Sequence, residues 1–450
     1  MGVGRSAPKI APVADSPPAL ARGRQLTYMA LAFGVAVPGV ALSRMHHVDA
    51  PDLILALAYG AAVVGAAFLL SWAAEVAQLD ISAGLAIAVL AFIAVLPEYA
   101  VGLVFALKGG HAASIHGALC QSPAAQAAGD DSPCALALAN MTGSNRLLIG
   151  VGWALVVFIG WRQYRKRGRK VDGISLERAH SVELGFLSVA TAYSLTLPLK
   201  RTITLVDAGV LIAIFAAYMV RISKAPAEEP DLLGPAGFIG TFPTARRRAV
   251  VVVLFLVAAL VILACAEPFA VALVDTGKTF GVNEFLLVQW LAPLASETPE
   301  LLVAGLYAWR LNTDAGLGTL VSSKVNQWTL LIGTMPIAFA IASGSFHGLP
   351  VVARQREEVL LTAAQSIFAV ATLCNLTLSV REAGFLFALF WAQFLTGAFA
   401  PEHLHGAQLL FFSVVYLLLA ARLVAKDRRG LPTLVRDGFR TPYAELTDDG

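Results

Sequence analysis

Residues 94–107 read AVLPEYAVGLVFAL and residues 294–309 read LASETPELLVAGLYAW. Each stretch sets a Pro-Glu pair inside a long apolar run, Pro97-Glu98 in the first and Pro299-Glu300 in the second. A carboxylate at membrane depth costs about 2.5–3.5 kcal/mol even on lenient insertion scales, so such residues mark function. Proline removes a backbone donor and bends a helix, which frees carbonyl oxygens beside the glutamate. A second matched segment follows each pair: ALALANMTGSNRLLIG at 135–150 and AGLGTLVSSKVNQWTLLIG at 315–333. Glu98 and Glu300 are 202 residues apart, Ser144 and Ser323 are 179 apart, and the 23-residue difference is the longer loop 108–134 of the first copy. The chain therefore carries an internal repeat.

The composition says what solvent surrounds that repeat. Of 450 residues, 57% are hydrophobic and 14% charged, with a mean hydropathy of +0.71. Soluble domains carry about 25% charged residues, and a chain this long cannot hide the deficit in one core. The solvent is lipid, which excludes a soluble enzyme, a nucleic-acid binder and a disordered scaffold. A net charge of +3 points to no polyanionic partner. Apolar runs able to cross about 30 Å of hydrocarbon fall at 25–44, 53–78, 82–107, 135–161, 181–199, 202–221, 249–275, 283–309, 316–343, 358–378, 383–400 and 406–425. Barrel-type alternation is absent, so helices must satisfy the backbone. The expectation is an all-α polytopic membrane protein of about 12 transmembrane helices. Two inverted five-helix repeats carry one extra helix at each end.

Domain bounds follow. Residues 1–24 read as a disordered tail, 25–44 as an extra helix, and 52–221 as the first repeat with its motif at 93–150. A linker at 222–248 leads to the second repeat at 249–400, with its motif at 291–333. A last helix at 406–425 precedes a tail at 426–450. Lys and Arg gather at 161–170, at Arg246–Arg248, in both tails and after the last span, which predicts cytoplasmic termini, in a bacterial plasma membrane. Lys200, Arg201, Arg354 and Arg356 dissent. Loop 108–134 then faces outward, where Cys120 and Cys134 have two states open, a disulfide or two free thiols. Cys265 and Cys374 read as packing residues.

The motifs supply oxygen: glutamate carboxylates, with Ser, Thr and Asn beside them. An all-oxygen set suits Ca²⁺, Na⁺ and other hard cations. The four segments resemble the calcium/cation antiporter superfamily, whose sodium–calcium exchangers carry G-T-S-x-P-E on one helix and G-N-x-x-G-S-N on the next. Leu96-Pro97-Glu98 with Ala139-Asn140-Met141-Thr142-Gly143-Ser144-Asn145 match the first repeat. Thr298-Pro299-Glu300 with Gly318-Thr319-Leu320-Val321-Ser322-Ser323-Lys324 match the second less closely. The resemblance implies a divalent-cation site bridged by Glu98 and Glu300. Asn140, Ser144, Asn145, Thr319 and Ser323 would line flanking positions, and transport would proceed by alternating access.

The departures are specific. Val95 replaces a Ser, Glu297 stands at the equivalent Ser position of the second repeat, Thr319 replaces an Asn, and Lys324 replaces the Asn of G-S-N. The expectation drawn from them is an intramembrane ion pair between Glu297 and Lys324, the lysine standing as a tethered cation. Gln289 and Gln327 are neutral donors within spans. The function expected is secondary exchange of Ca²⁺, or a related cation, for Na⁺ or H⁺. The alternatives are a Na⁺/H⁺ exchanger of the same fold, a channel, and a non-transporting sensor. No H-E-x-x-H zinc motif or G-x-x-x-x-G-K-[ST] nucleotide loop occurs, so catalysis, a cofactor, nucleotide and nucleic acid have no signal. The partners expected are the lipid bilayer and inorganic cations.

Overall fold

A computed structural model describes residues 22–45, 50–80, 96–225, 232, 234–281, 284–399, 401–426 and 430–447. Its helices are α1 (Arg22–Ser43), α2 (Asp52–Ala77), α3 (Leu96–His116), α4 (Pro133–Lys166), α5 (Ser181–Ser194) and α6 (Leu205–Ile222). They continue as α7 (Thr244–Phe280), α8 (Glu284–Trp309), α9 (Thr313–Ser343), α10 (Ala353–Thr372), α11 (Val380–Phe399) and α12 (His405–Lys426). Two shorter helices, α13 (Gly430–Phe439) and α14 (Tyr443–Thr447), close the chain. Nine of the described helices are long and apolar enough to cross a membrane. α3, α8 and α10 fall outside that set; α8 carries Glu284, Glu297 and Glu300, and α10 carries Arg354, Arg356, Glu357 and Glu358. The expected third span begins outside the described residues and reappears as α3.

Helices α2–α6 and α7–α11 are the two five-helix repeats, and local chemistry ends the helices at matching places. α6 starts at a capping box, Thr204 accepting from the Asp207 backbone while Asp207 accepts from the Thr204 backbone. α11 starts 175 residues later in the same way, with Ser379 and Glu382. Each such cap satisfies orphan donors and is worth about 1 kcal/mol. α4 contains a π turn at Leu148–Trp153 and α9 one at Gln327–Leu331, again in register at the 179-residue offset.

Four very short strands tie the repeats together. β1 (Gly173–Ser175) precedes α5, β2 (Thr202–Ile203) precedes α6, β3 (Leu349–Pro350) precedes α10 and β4 (Thr377–Ser379) precedes α11. β1 pairs antiparallel with β4, and β2 with β3, so each pair joins one repeat to the other. Gly173 and the equivalent Gly348 make this approach possible. A Cβ on the first would sit 2.4 Å from the Leu378 carbonyl, and on the second 2.2 Å from the Ile203 carbonyl.

The linker and the C-terminal tail differ from expectation. Between 222 and 248 a short helix forms at Pro235–Gly240, and α7 begins at Thr244. At 37 residues α7 is about 55 Å long, longer than the hydrocarbon needs, and its projecting end lets Arg247 hold Asp80 through two 2.8 Å hydrogen bonds. The tail after 426 folds back as α13 and α14. Asp437 accepts from Arg178 at 2.8 Å and from Thr441 at 2.8 Å, while Arg221 donates to Gly438 O at 3.1 Å. Arg178, just before α5, and Arg221 on α6 give a nominally polar tail something to pair with. Of the expected N-terminal tail, only Arg22–Arg24 are described, and they open α1.

Candidate cation site

The site forms where α3 and α8 cross α4 and α9. At one crossing a Cβ on Gly143 would lie 1.6 Å from the Gln289 carbonyl oxygen, so only glycine lets the α8 backbone rest on α4 there. That contact brings Glu297, about two turns further along α8, up to the α4 motif. The π turn of α9 starts at Gln327; an extra residue in the turn re-aims side chains and is frequent at functional sites.

Gln327 is the organiser. Its amide donates to Glu297 Oε1 at 2.8 Å and to Glu98 Oε2 at 3.5 Å. The structure thus puts Glu98 and Glu297 on one amide, while Glu300, one turn beyond Glu297, is half-buried beside them. Asn140 donates to the Glu98 carbonyl at 3.4 Å, and Ser144 lies beside both Glu98 and Glu297. Five buried oxygens here have no hydrogen-bond partner: Glu98 Oε1, Glu297 Oε2, Asn140 Oδ1, Ser144 Oγ and Gln327 Oε1. Buried polar atoms are nearly always paired. A cluster of five orphan oxygens drawn from both repeats is a surface made for a cation's positive charge. Among the described residues no group of three or more His, Cys, Asp and Glu is close enough to hold a metal ion.

The expected ion pair between Glu297 and Lys324 is not formed. Lys324 is fully buried, and its ammonium donates to two oxygens of Asn145, the backbone carbonyl and the side-chain Oδ1 at 2.6 Å. Its charge also lies 5.5 Å from the centre of the Trp328 ring. A backbone carbonyl and an amide oxygen on one helix offer a two-point seat, whereas Gln327 holds only Oε1 of Glu297. Both Asn145 oxygens thus accept from Lys324. Thr319 returns its hydroxyl to Ala315 O at 2.8 Å, and no hydrogen bond joins Thr319 or Ser323 to the glutamates among the described residues. Cys120 and Cys134 are bridged, with Cα atoms 6.0 Å apart.

One pair was invisible to motif reading. Arg146, the residue after Asn145, is 2% exposed and meets Glu358 of α10 at 2.7 Å. Gln289 donates to Glu358 at 3.1 Å and to Thr142 at 3.2 Å, and the Arg146 guanidinium lies 4.9 Å from the Trp290 ring centre. Arg146, Gln289, Trp290 and Glu358 line a cavity of about 40 Å³ with Arg354, Gln393 and Gln408, room for roughly three waters. A charge in mid-span was the available signal. Glu183 is buried too, 3.7 Å from His180, which meets Asp314 of α9 at 3.3 Å.

The family model described as sodium/calcium exchanger protein matches residues 53–224 and 250–423. The crystal structure of the H⁺/Ca²⁺ exchanger CAX is 39% identical, with a TM-score of 0.80 over 95% of this chain and 98% of that one. A crystal structure of the Ca²⁺/H⁺ antiporter protein YfkE shares the fold at 14% identity and a TM-score of 0.58, covering 88% of this chain and 100% of that one. No curated protein matches the chain.

Proposed function

We propose that this chain, which belongs to the sodium/calcium exchanger protein family, is a secondary antiporter that exchanges Ca²⁺ for protons at the Glu98–Glu297–Glu300 site. The observation that carries the reading is the set of five unpartnered buried oxygens contributed by both repeats around Gln327. Ca²⁺ prefers six to eight oxygens, mixing carboxylate, carbonyl and amide, and the site holds that mixture. Protons are the exchanging ion that needs no ligand cage of its own: a carboxylate that gives up Ca²⁺ can carry H⁺ back. The likeness to an H⁺/Ca²⁺ exchanger over nearly the whole chain supports this choice over Na⁺. So does Lys324, whose ammonium fills the Asn145 oxygens that a monovalent ion would require.

In this reading Glu98 and Glu297 chelate the cation, Asn140 and Ser144 complete its shell, and Gln327 holds the two carboxyls in register. Glu300 adds the third charge. Both termini lie in the cytoplasm, in accordance with the Lys and Arg distribution. The test is ⁴⁵Ca²⁺ uptake into proteoliposomes under an imposed pH gradient or an imposed Na⁺ gradient. Uptake is expected under the pH gradient alone and is abolished by Glu98→Gln and by Glu297→Gln in folded protein. Uptake driven only by Na⁺, or full activity in either variant, would overturn the assignment.

A further inference from the structure

From Pro133 to Val171 the chain holds no acidic residue, and residues 161–170 read WRQYRKRGRK. Arg162, Arg165, Lys166, Arg167, Arg169 and Lys170 are all exposed, and among the described residues none of them is in an ion pair. One or two basic residues suit the carbonyl end of a helix such as α4; this run exceeds that need. Two of the cations rest on indole rings. The Arg165 guanidinium lies 4.8 Å from the centre of the Trp161 ring, and the Lys166 ammonium 5.3 Å from that of Trp309, the last residue of α8. Such contacts hold a cation at a ring face, and indoles settle at the headgroup level of a bilayer. Tyr164 donates to Leu311 O at 3.4 Å, which ties the two helix ends together, and the exposed Arg310 adds another cation. Back along α8 from Trp309 stand Leu306 and Leu302, each about half exposed. Residues 302, 306 and 309 share one helix face, so an apolar strip runs up to the cationic corner.

We infer that the joint between the ends of α4 and α8 is a binding surface for an anionic phospholipid, an acyl chain lying along Leu302 and Leu306 and the headgroup phosphate among Arg165, Lys166 and Arg310. The inference is independent of which ions are exchanged. Charge selects the lipid class. A zwitterionic headgroup balances its own phosphate, whereas phosphatidylglycerol brings a net negative charge to cations that have no carboxylate. Each Lys or Arg beside an anionic surface adds about a fivefold preference. Arginines at other helix ends are matched within the protein, Arg247 and Arg248 by Asp80 and Arg178 by Asp437. The apolar strip selects a lipid over a soluble polyanion, which gains nothing from Leu302 and Leu306. α4 carries Asn140 and Ser144, and α8 carries Glu297 and Glu300, so a lipid held here spans both repeats.

The experiment places the full chain in bilayers of phosphatidylcholine and phosphatidylglycerol, one or the other brominated on its acyl chains near the headgroup, and follows tryptophan quenching. The site's own signal is the part lost in the double variant Trp161→Phe, Trp309→Phe, which keeps an aromatic ring at both positions. The wild type should be quenched by brominated phosphatidylglycerol beyond that lipid's share of the bilayer. Arg165→Gln with Lys166→Gln should weaken this preference about 25-fold. Arg165→Lys should retain it, and Arg246→Gln with Arg248→Gln should leave it unchanged. Equal quenching of the wild type by the two brominated lipids would overturn the inference. An unchanged preference in the folded Arg165→Gln, Lys166→Gln protein would do the same, and would leave the cluster a determinant of orientation alone. Loss of the preference on adding inorganic phosphate at constant ionic strength would assign the cations to a soluble anion and likewise remove the lipid.

Discussion

The two repeats keep one skeleton and partner the charges on it differently. Glu183 and Glu358 are equivalent, 175 residues apart, and each is 7% exposed. The first meets an imidazole on the same helical turn, His180, and the second a guanidinium from the other repeat, Arg146. Position 146 is Arg in one copy and 325 is Val in the other; position 145 is Asn and 324 is Lys. Meanwhile the caps, the π turns and the strand glycines coincide. Backbone features recur because both copies must make the same crossings, and these are satisfied by local residues. Charges need balance only once per molecule, so one copy can supply the cation and the other the anion. The asymmetry of a symmetric transporter is therefore concentrated in side chains that pair across the repeat boundary.

The sharpest way to break this picture is to separate one such pair. Arg146→Met leaves Glu358 buried and uncompensated, and should cost about 3–5 kcal/mol. Adding Glu358→Leu to it should restore most of the loss. Thermal unfolding in detergent measures both; a single variant as stable as the wild type would mean the pair holds nothing together. The skeleton can be tested in the same assay. Gly173→Ala and Gly348→Ala each push a methyl against a carbonyl oxygen that belongs to backbone and cannot swing aside. Each should lose about 1–3 kcal/mol. Equal losses would sharpen the equivalence, and a loss at one site alone would break it.

The smallest expected effect comes from the part with no counterpart in the other repeat, the docked α13. Burial pushes the Asp437 carboxyl up, but hydrogen bonds from Arg178, Thr441 and Arg436 outweigh it and hold it at about 2. A carboxyl depressed below its unfolded value stabilises above about pH 4, and that contribution is lost as pH falls through about 2. Asp437→Asn should cost about 1–2 kcal/mol at neutral pH, discounted because Arg178 is partly exposed, and nothing well below about pH 2. A cost that stays constant over that range would assign Asp437 a role other than its charge.

Much of the fold was legible because lipid enforces it. An apolar run of about 20 residues has one stable form in hydrocarbon, and eleven of the twelve expected spans correspond to described helices within a few residues. The inverted repeat was legible because Pro97-Glu98 and Pro299-Glu300 stand out against an apolar background. What stayed hidden were partners. Lys324 was assigned to Glu297 from charge alone, yet an amide and a carbonyl on α4 seat the ammonium. Arg146 lies 212 residues from Glu358, and a single sequence holds nothing that joins positions so distant. Strands of two or three residues leave no periodicity to read, and the C-terminal helices were masked by a composition that also suits a tail.

Those strands have a consequence for the chain as an assembly. The edge of β1 is closed by β4 and that of β2 by β3, so neither half of the molecule completes its own hydrogen bonding. Each half is the other's missing piece. Covalent continuity through the segment between α6 and α7 then serves to keep the halves in equal supply, since recognition is already encoded at both faces. Two polypeptides severed there would remain a matched couple, each an incomplete object until it finds the other in the same membrane.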